Sequence, residues 1–394
     1  MTLNNLGALL VAASIAPLAF ASTASAQDIT HKVSGRVMID YSIVDAENAD
    51  MEWSASELRR ARLGVSGNVG DNVKYKIEFN TNSSSEINAE DAYIQWAPTG
   101  GKWNIKVGQY KTANSLDELT SSRFISTLER SAFTDAFEFN RRVGVSVNGS
   151  GENYTFSAGV FGDNLEVGAT DEGKAAAARF TYTPYKSGND VVHLGASWRY
   201  REIGDTQSDL RYRQRTSSHI PSRIISTGRI ADSDNFVGAE AAGIFGDAWA
   251  AGEYGVITAD CTITCADDPS FGGGYVEAGY FFGGRRTYKG GKFNRPKVDN
   301  PVSDGGMGAV ALVARYDTLD LTDSSVDGGD IDAFVLGADW YATKYTRVGI
   351  NYFTNSANLG TSTSGLDAAF ANLVTNNITD EDVSGVNMRL QFDF

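Results

Sequence analysis

Lysine and arginine recur at every second position in several stretches of this chain: Arg60 with Arg62, Lys74 with Lys76, Arg199 with Arg201, and the triplet Arg211, Arg213 and Arg215. In an extended strand that spacing puts the cations on one face. Rows of fixed cations replace the hydration an anion loses, and the planar arginine fork matches phosphate oxygens. The chemistry predicted is therefore binding of small anions without covalent change.

Catalysis has little to stand on. Three histidines, His31, His193 and His219, are scattered. His193 shares a polar face with Ser197, yet no Gly-x-Ser-x-Gly elbow or third partner accompanies them, so His193 is expected to be solvated. There is no phosphate-cradling loop and no HExxH helix, and no enzyme, cofactor or metal site is expected. The acidic runs from Asp327 and from Asp380 read as solvated loops. Cys261 and Cys265 are the only cysteines. They stand close together in an acidic stretch without histidine, which in an exported protein points to a loop disulfide.

The elements that must carry the cations are strands. In Val386, Met388, Leu390, Phe392 and Phe394 every second side chain is apolar, and Asn387, Arg389, Gln391 and Asp393 fill the gaps. The same alternation sets Val73, Tyr75, Ile77 and Phe79 against Lys74, Lys76, Glu78 and Asn80. It recurs from Lys32 to the end, in about 17 segments. Strands greasy on one face and polar on the other, joined by alternating short turns and long polar loops, predict an all-β transmembrane up-and-down antiparallel barrel. An even strand number is required, so 16 are expected, with Leu210–Arg215 the weakest segment. A soluble sandwich would explain neither the Trp and Tyr near segment ends nor the basic residues on the opposite face.

Residues 1–26 read as a secretory signal. An apolar run from Leu6 to Phe20 precedes a small-residue cleavage site at Ala24, Ser25 and Ala26, although no Lys or Arg stands before it. Residues 27–394 are then the barrel, and the strand pattern begins too soon after Gln27 for a periplasmic extension. The net charge of −15 argues against a nucleic-acid partner. Between Lys111 and Arg141 lies a long stretch without alternation, with Leu116, Leu119, Phe124, Ile125, Leu128 and Phe133 at partly helical spacing. Such a loop is expected to pack against the inner wall and narrow the bore.

The run GQYKTANSLDELTSSRFISTLERSAFTDAF followed by RRVGVSV resembles the third-loop signature of the phosphate-selective porin O and P family. HLGASWRYR, LRYRQR with SSHIPSRIISTG, and GAEAAGIFG followed by AGEYG resemble the same family in the same order. The terminal Phe resembles the closing strand of outer-membrane porins. The resemblance implies a trimeric porin of 16 strands in a Gram-negative outer membrane, embedded in its lipid, delivered by the barrel assembly machinery, and passing small anions such as phosphate. The loop departs from a lysine-clustered phosphate site: it carries Asp117, Glu118, Glu129, Asp135 and Glu138 beside Lys111, Arg123, Arg130 and Arg141.

On the polar parity about sixteen basic residues oppose about nine acidic ones. Those expected to line the pore are Arg36, Arg60, Arg62, Lys74, Lys76, Lys106, Arg142, Arg179, Arg199, Arg201, Arg211, Arg213 and Arg215. In the constriction loop, Lys111, Asp117, Glu118, Arg123, Glu129 and Arg130 are expected at the bore. A narrow, low-dielectric channel keeps such a field from being fully screened. The expected function is passive diffusion of small solutes, anion- and phosphate-preferring. The competing readings are a general or weakly cation-preferring porin, and a non-conducting structural or enzymatic barrel.

Overall fold

The computed structural model describes residues 29–83, 86–168, 171–263 and 265–394. The expected signal and its cleavage site lie outside the described residues.

Nineteen strands form: β1 (Ile29–Ala46), β2 (Met51–Val69), β3 (Val73–Thr81), β4 (Ile87–Trp96), β5 (Trp103–Lys111), β6 (Arg141–Ser150), β7 (Tyr154–Phe161), β8 (Lys174–Ser187), β9 (Asp190–Glu202), β10 (Leu210–Gln214), β11 (Ile225–Phe245), β12 (Ala248–Cys261), β13 (Ser270–Phe282), β14 (Gly284–Tyr288), β15 (Phe293–Val298), β16 (Ala309–Asp323), β17 (Val326–Thr343), β18 (Thr346–Asn358) and β19 (Asp380–Asp393). Sixteen of them pair antiparallel with their sequence neighbours into a barrel, which closes where β1 pairs both β2 and β19. The three outside the barrel are β10, β14 and β15. β10 pairs only with the first residues of β11, before β11 joins β9, while β14 and β15 make a separate hairpin.

Burial is inverted relative to a soluble protein. On β19, Met388, Leu390 and Phe392 are about half exposed, whereas Asn387, Arg389, Gln391 and Asp393 are buried. β1 repeats this, with Val37, Ile39, Tyr41 and Ile43 outside and Arg36, Asp40 and Ser42 inside. An apolar band facing out and a polar face turned in is the arrangement of a barrel in lipid. Aromatics gather near strand ends, as in the Trp96–Trp103 and Tyr185–Phe245 pairs. The seam is tight. Phe394 exchanges backbone hydrogen bonds with Gly35 (3.2 and 3.1 Å), and a Cβ on Gly35 would lie 2.6 Å from the Phe394 ring.

Two β-bulges change which side chains reach the interior. Met38 opposes Arg60 but Ile39 opposes Leu58, so Arg59 is the extra residue and turns inward beside Arg60. Ile77 opposes Ala92 but Phe79 opposes Ala89, which places both Glu90 and Asp91 across from Glu78. Loop lengths also depart from strict short-and-long alternation. The connector 283–308, at the short-turn end, is long and carries the β14–β15 hairpin, while 47–50 and 324–325, at the long-loop end, are tight turns.

Candidate functional site

The stretch between β5 and β6 contains two short helices, α1 (Leu116–Leu119) and α2 (Ala132–Ala136). The Ser115 hydroxyl caps α1 by accepting from the Glu118 amide at 3.1 Å. The loop docks on the polar face of β12–β19 and β1. Glu253 accepts from the Leu116 and Asp117 amides, Glu277 from the Ser126 hydroxyl, and Asn351 from the Leu128 amide. Arginines hold its carbonyls: Arg347 donates to Ile125 (3.1 Å), Arg389 to Leu128 (2.6 Å), Arg286 to Phe124 (3.0 Å) and Arg315 to Glu129 (3.5 Å). Each is itself anchored. Arg315 pairs with Glu277 (2.8 Å), Arg347 with Asp339 (2.7 Å) and Arg389 with Asp40 (2.6 Å), all buried. Arg286, from the hairpin, is sandwiched between Trp249 and Phe293.

Opposite this packed wall lies open space. A central cavity of about 570 Å³ is lined by eleven Lys or Arg and six Asp or Glu, from β1–β6, the loop, Arg223 and Lys292. All six carboxylates have cation partners. Glu78 meets Arg36, Arg62 and Lys76; Glu90 meets Arg62 and Arg141; Asp91 meets Lys76 and Arg141. Glu118 meets Lys111 and Arg130, Asp135 meets Arg215 and Arg223, and Glu138 meets Arg201. Three cations have no carboxylate partner among the described residues: Arg60, Lys106 and Lys292. Lys106 sits over the rings of Tyr93 (4.6 Å) and Tyr110 (4.9 Å) instead. Two further cavities adjoin. One, about 440 Å³, shares Glu138, Asn140 and Arg141 and carries Arg142, Arg201, Arg211, Arg213 and Arg229. The other, about 310 Å³, shares Lys106, Tyr110, Lys111 and Lys292.

The electrostatics of the loop follow from these partners. Burial alone would raise the Glu129 carboxyl, but Arg59 and Arg389 hold it well below the usual carboxylate range. Arg130 and Lys111 do the same for Glu118, and Arg223 and Arg215 for Asp135. Lys292 has only Asp91 on its side. Burial, with Lys106 and Arg179 facing it, pushes its ammonium down to about 8.

Of the residues expected at the pore, Arg36, Arg60, Arg62, Lys76 and Lys106 line the central cavity together with the loop's Lys111, Glu118, Arg123 and Arg130. Arg123 reaches Asp393. Asp117 and Glu129 work as loop anchors, with Arg130 and Arg59 as partners. Lys74 lies at the exposed end of β3 and lines none of these cavities. Arg199 is buried, paired with Asp234 and bonded to the Phe137 carbonyl, so it holds the loop rather than facing a solute. Arg142 pairs with Asp163, Arg201 with Asp234 and Arg179 with Glu240, though all three still border a cavity. Arg211, Arg213 and Arg215 lie outside the barrel wall, on or just after β10. Arg211 and Arg213 border the 440 Å³ cavity without carboxylate partners among the described residues, and Arg215 pairs with Asp135.

His193 corrects an expectation. It is fully buried, with Tyr288 at 2.7 Å and Glu240 at 2.9 Å, because the hairpin covers the face on which it was expected to meet water. The Cys261–Cys265 disulfide is formed. Sequence reasoning missed Arg59 and Glu90, which the bulges turn inward, and Arg286 and Lys292, which the hairpin delivers. The paired glycines Gly290 and Gly291 were the available signal for that turn.

A family model, phosphate-selective porin O and P, matches residues 32–394. Porin O of Pseudomonas aeruginosa is 26% identical over 415 aligned residues, covering 93% of this chain and 89% of that protein. An uncharacterized protein of Caulobacter vibrioides is 33% identical over 384 residues, covering 93% of this chain and 74% of the other. Among solved structures, an anion-selective porin from Comamonas acidovorans superposes with a TM-score of 0.60 at 14% identity, covering 93% of this chain and all of the other.

Proposed function

The chain belongs to the phosphate-selective porin O and P family, and with an outer-membrane porin channel of a Gram-negative bacterium as the premise, we propose that it passes small anions, phosphate among them. The observation that carries this reading is the imbalance in the central cavity. Every carboxylate there is already matched, while Arg60, Lys106 and Lys292 have no carboxylate partner among the described residues. A permeating anion finds fixed positive charge without having to displace a protein carboxylate, and a cation finds none of the opposite sign available. Arg211 and Arg213 extend the same unbalanced charge into the adjoining cavity at the long-loop end, which in outer-membrane barrels is the cell exterior.

In this reading the docked loop sets the bore, its carbonyls held mainly by arginines of the β12–β19 wall, with Arg199 of β9 and Arg59 of β2 as further ties. Residues 1–26 act as the export signal and 27–394 as the barrel. The working form is a homotrimer surrounded by outer-membrane lipid and inserted by the barrel assembly machinery. The test is purified protein in a planar bilayer under a KCl gradient. An anion-signed reversal potential and a conductance blocked by added phosphate are expected. A cation-signed potential overturns the reading, and an anion-signed potential without phosphate block removes phosphate from it.

A further inference from the structure

The 310 Å³ cavity differs from the central one in a way that bears on which anions dwell there. Among its lining residues there is no Asp or Glu. Its cations are Lys106, Lys111, Arg179 and Lys292, and two of them, Lys106 and Lys292, have no carboxylate partner among the described residues. The remaining polar lining is neutral. Ser157 donates to the Asn148 side-chain carbonyl at 2.6 Å, and the Asn148 amide donates to Asn104 at 3.2 Å and to Ser146 at 3.1 Å, which leaves the Asn104 amide nitrogen and the Ser157 oxygen able to bond a guest.

Lys292 is aimed into this space by the hairpin tip. Gly291 has φ +75°, and a Cβ there would lie 2.9 Å from the Thr155 hydroxyl and 3.3 Å from an Arg179 nitrogen, so only glycine lets the tip seat against the wall. Arg179 donates to the Gly291 carbonyl at 2.7 Å and locks it. Two unmatched ammonium groups beside a shelf of amides and hydroxyls suit a ligand with a phosphate at one end and hydroxyls at the other.

Resting on the anion-channel reading, we infer that this cavity is a binding subsite for hydroxylated organic phosphates such as sugar phosphates. The phosphate lies between Lys106 and Lys292, and the hydroxyls lie on Asn104 and Ser157, both held in place by Asn148. No bond is made or broken, and the subsite raises occupancy in the lower half of the path.

The experiment measures block of KCl current through the full-length protein in planar bilayers by glucose 6-phosphate, inorganic phosphate and glucose. Two net hydrogen bonds to the sugar predict half-block by glucose 6-phosphate at about tenfold lower concentration than by inorganic phosphate, with glucose inert in that range. Asn148→Ala should abolish the advantage and leave phosphate block unchanged, which mere bulk of the sugar would not do. Lys292→Met should weaken block by both phosphates, its KCl conductance showing that the channel has formed. Should it give no channels, Lys106→Met makes the same measurement from the opposite side. Equal block of the unaltered protein by the two phosphates, or an advantage surviving Asn148→Ala, overturns the subsite while leaving an anion-signed reversal potential intact. A cation-signed potential overturns both readings.

Discussion

The two walls of the barrel interior use the same side chains for opposite purposes. On β13–β19 and β1, arginines sit next to carboxylates of a neighbouring strand: Glu277 is in register with Arg315, and Asp40 with Arg389. Arg389, Arg315 and the neighbouring Arg347 also donate to carbonyls of the 112–140 loop, so these guanidiniums hold it rather than face a solute. On β2–β5 the loop reaches only Arg59, through Glu129, and Lys111, through Glu118, and the central cavity lies over the rest of the surface. The carboxylates there share a charge network with Arg62, Lys76 and Arg141, and Arg60 and Lys106 are left over. Whether a lumen arginine is structural or functional thus depends on its cross-strand neighbour and on what lies over it, not on its parity along the strand.

The comparison is broken most directly on the packed side. Arg389→Ala leaves Asp40 and Glu129 buried without this cation, a loss of about 3–5 kcal/mol. The barrel's thermal unfolding should drop markedly and its current should become noisy, whereas an unshifted melting curve would show that the wall does not depend on the pair. A smaller cost, about 1–3 kcal/mol for an unfavourable φ, is expected for Gly291→Ala. This variant should free the hairpin tip and enlarge the single-channel conductance.

On the open side, Arg60→Ala should change stability by no more than about 0.5 kcal/mol, as at an unpartnered site, while moving the KCl reversal potential toward zero. Loss of stability without a change in selectivity would reverse the assignment of the two walls. The smallest effect is titration of Lys292. Its neighbours are Lys106, Lys76, Arg179 and Asp91, and with a pKa of about 8 it is charged at lower pH and loses that charge as pH rises through 8. Anion preference in KCl should therefore weaken between pH 7 and 9, and Lys292→Met should flatten that dependence.

How much could be read in advance follows the same division. Alternation alone placed Val37, Ile39, Met388 and Leu390 outside and Arg36, Asp40 and Arg389 inside, because a strand's period of two is a local property. The strand count of 16 was legible once Leu210–Arg215 was recognised as the weakest segment. Bulges were not legible, since inserting Arg59 or Glu90 leaves no mark in composition and inverts parity for the rest of the strand. Nor was pairing: Arg315 and Arg60 look alike until the register sets Glu277 beside one and Met38 beside the other. The part played by the turn 283–308 was not legible either, because it depends on Trp249, Phe124 and Arg179, all more than thirty positions away in sequence.

The bridge between Asp40 and Arg389 joins residues 349 positions apart. Fold topologies dominated by such distant pairings assemble slowly, and until the seam forms, β1 and β19 each present an unpaired edge that invites sticking to other chains. The closed cylinder's protection and the open chain's vulnerability therefore share one origin: neither edge is covered until that last ribbon is zipped.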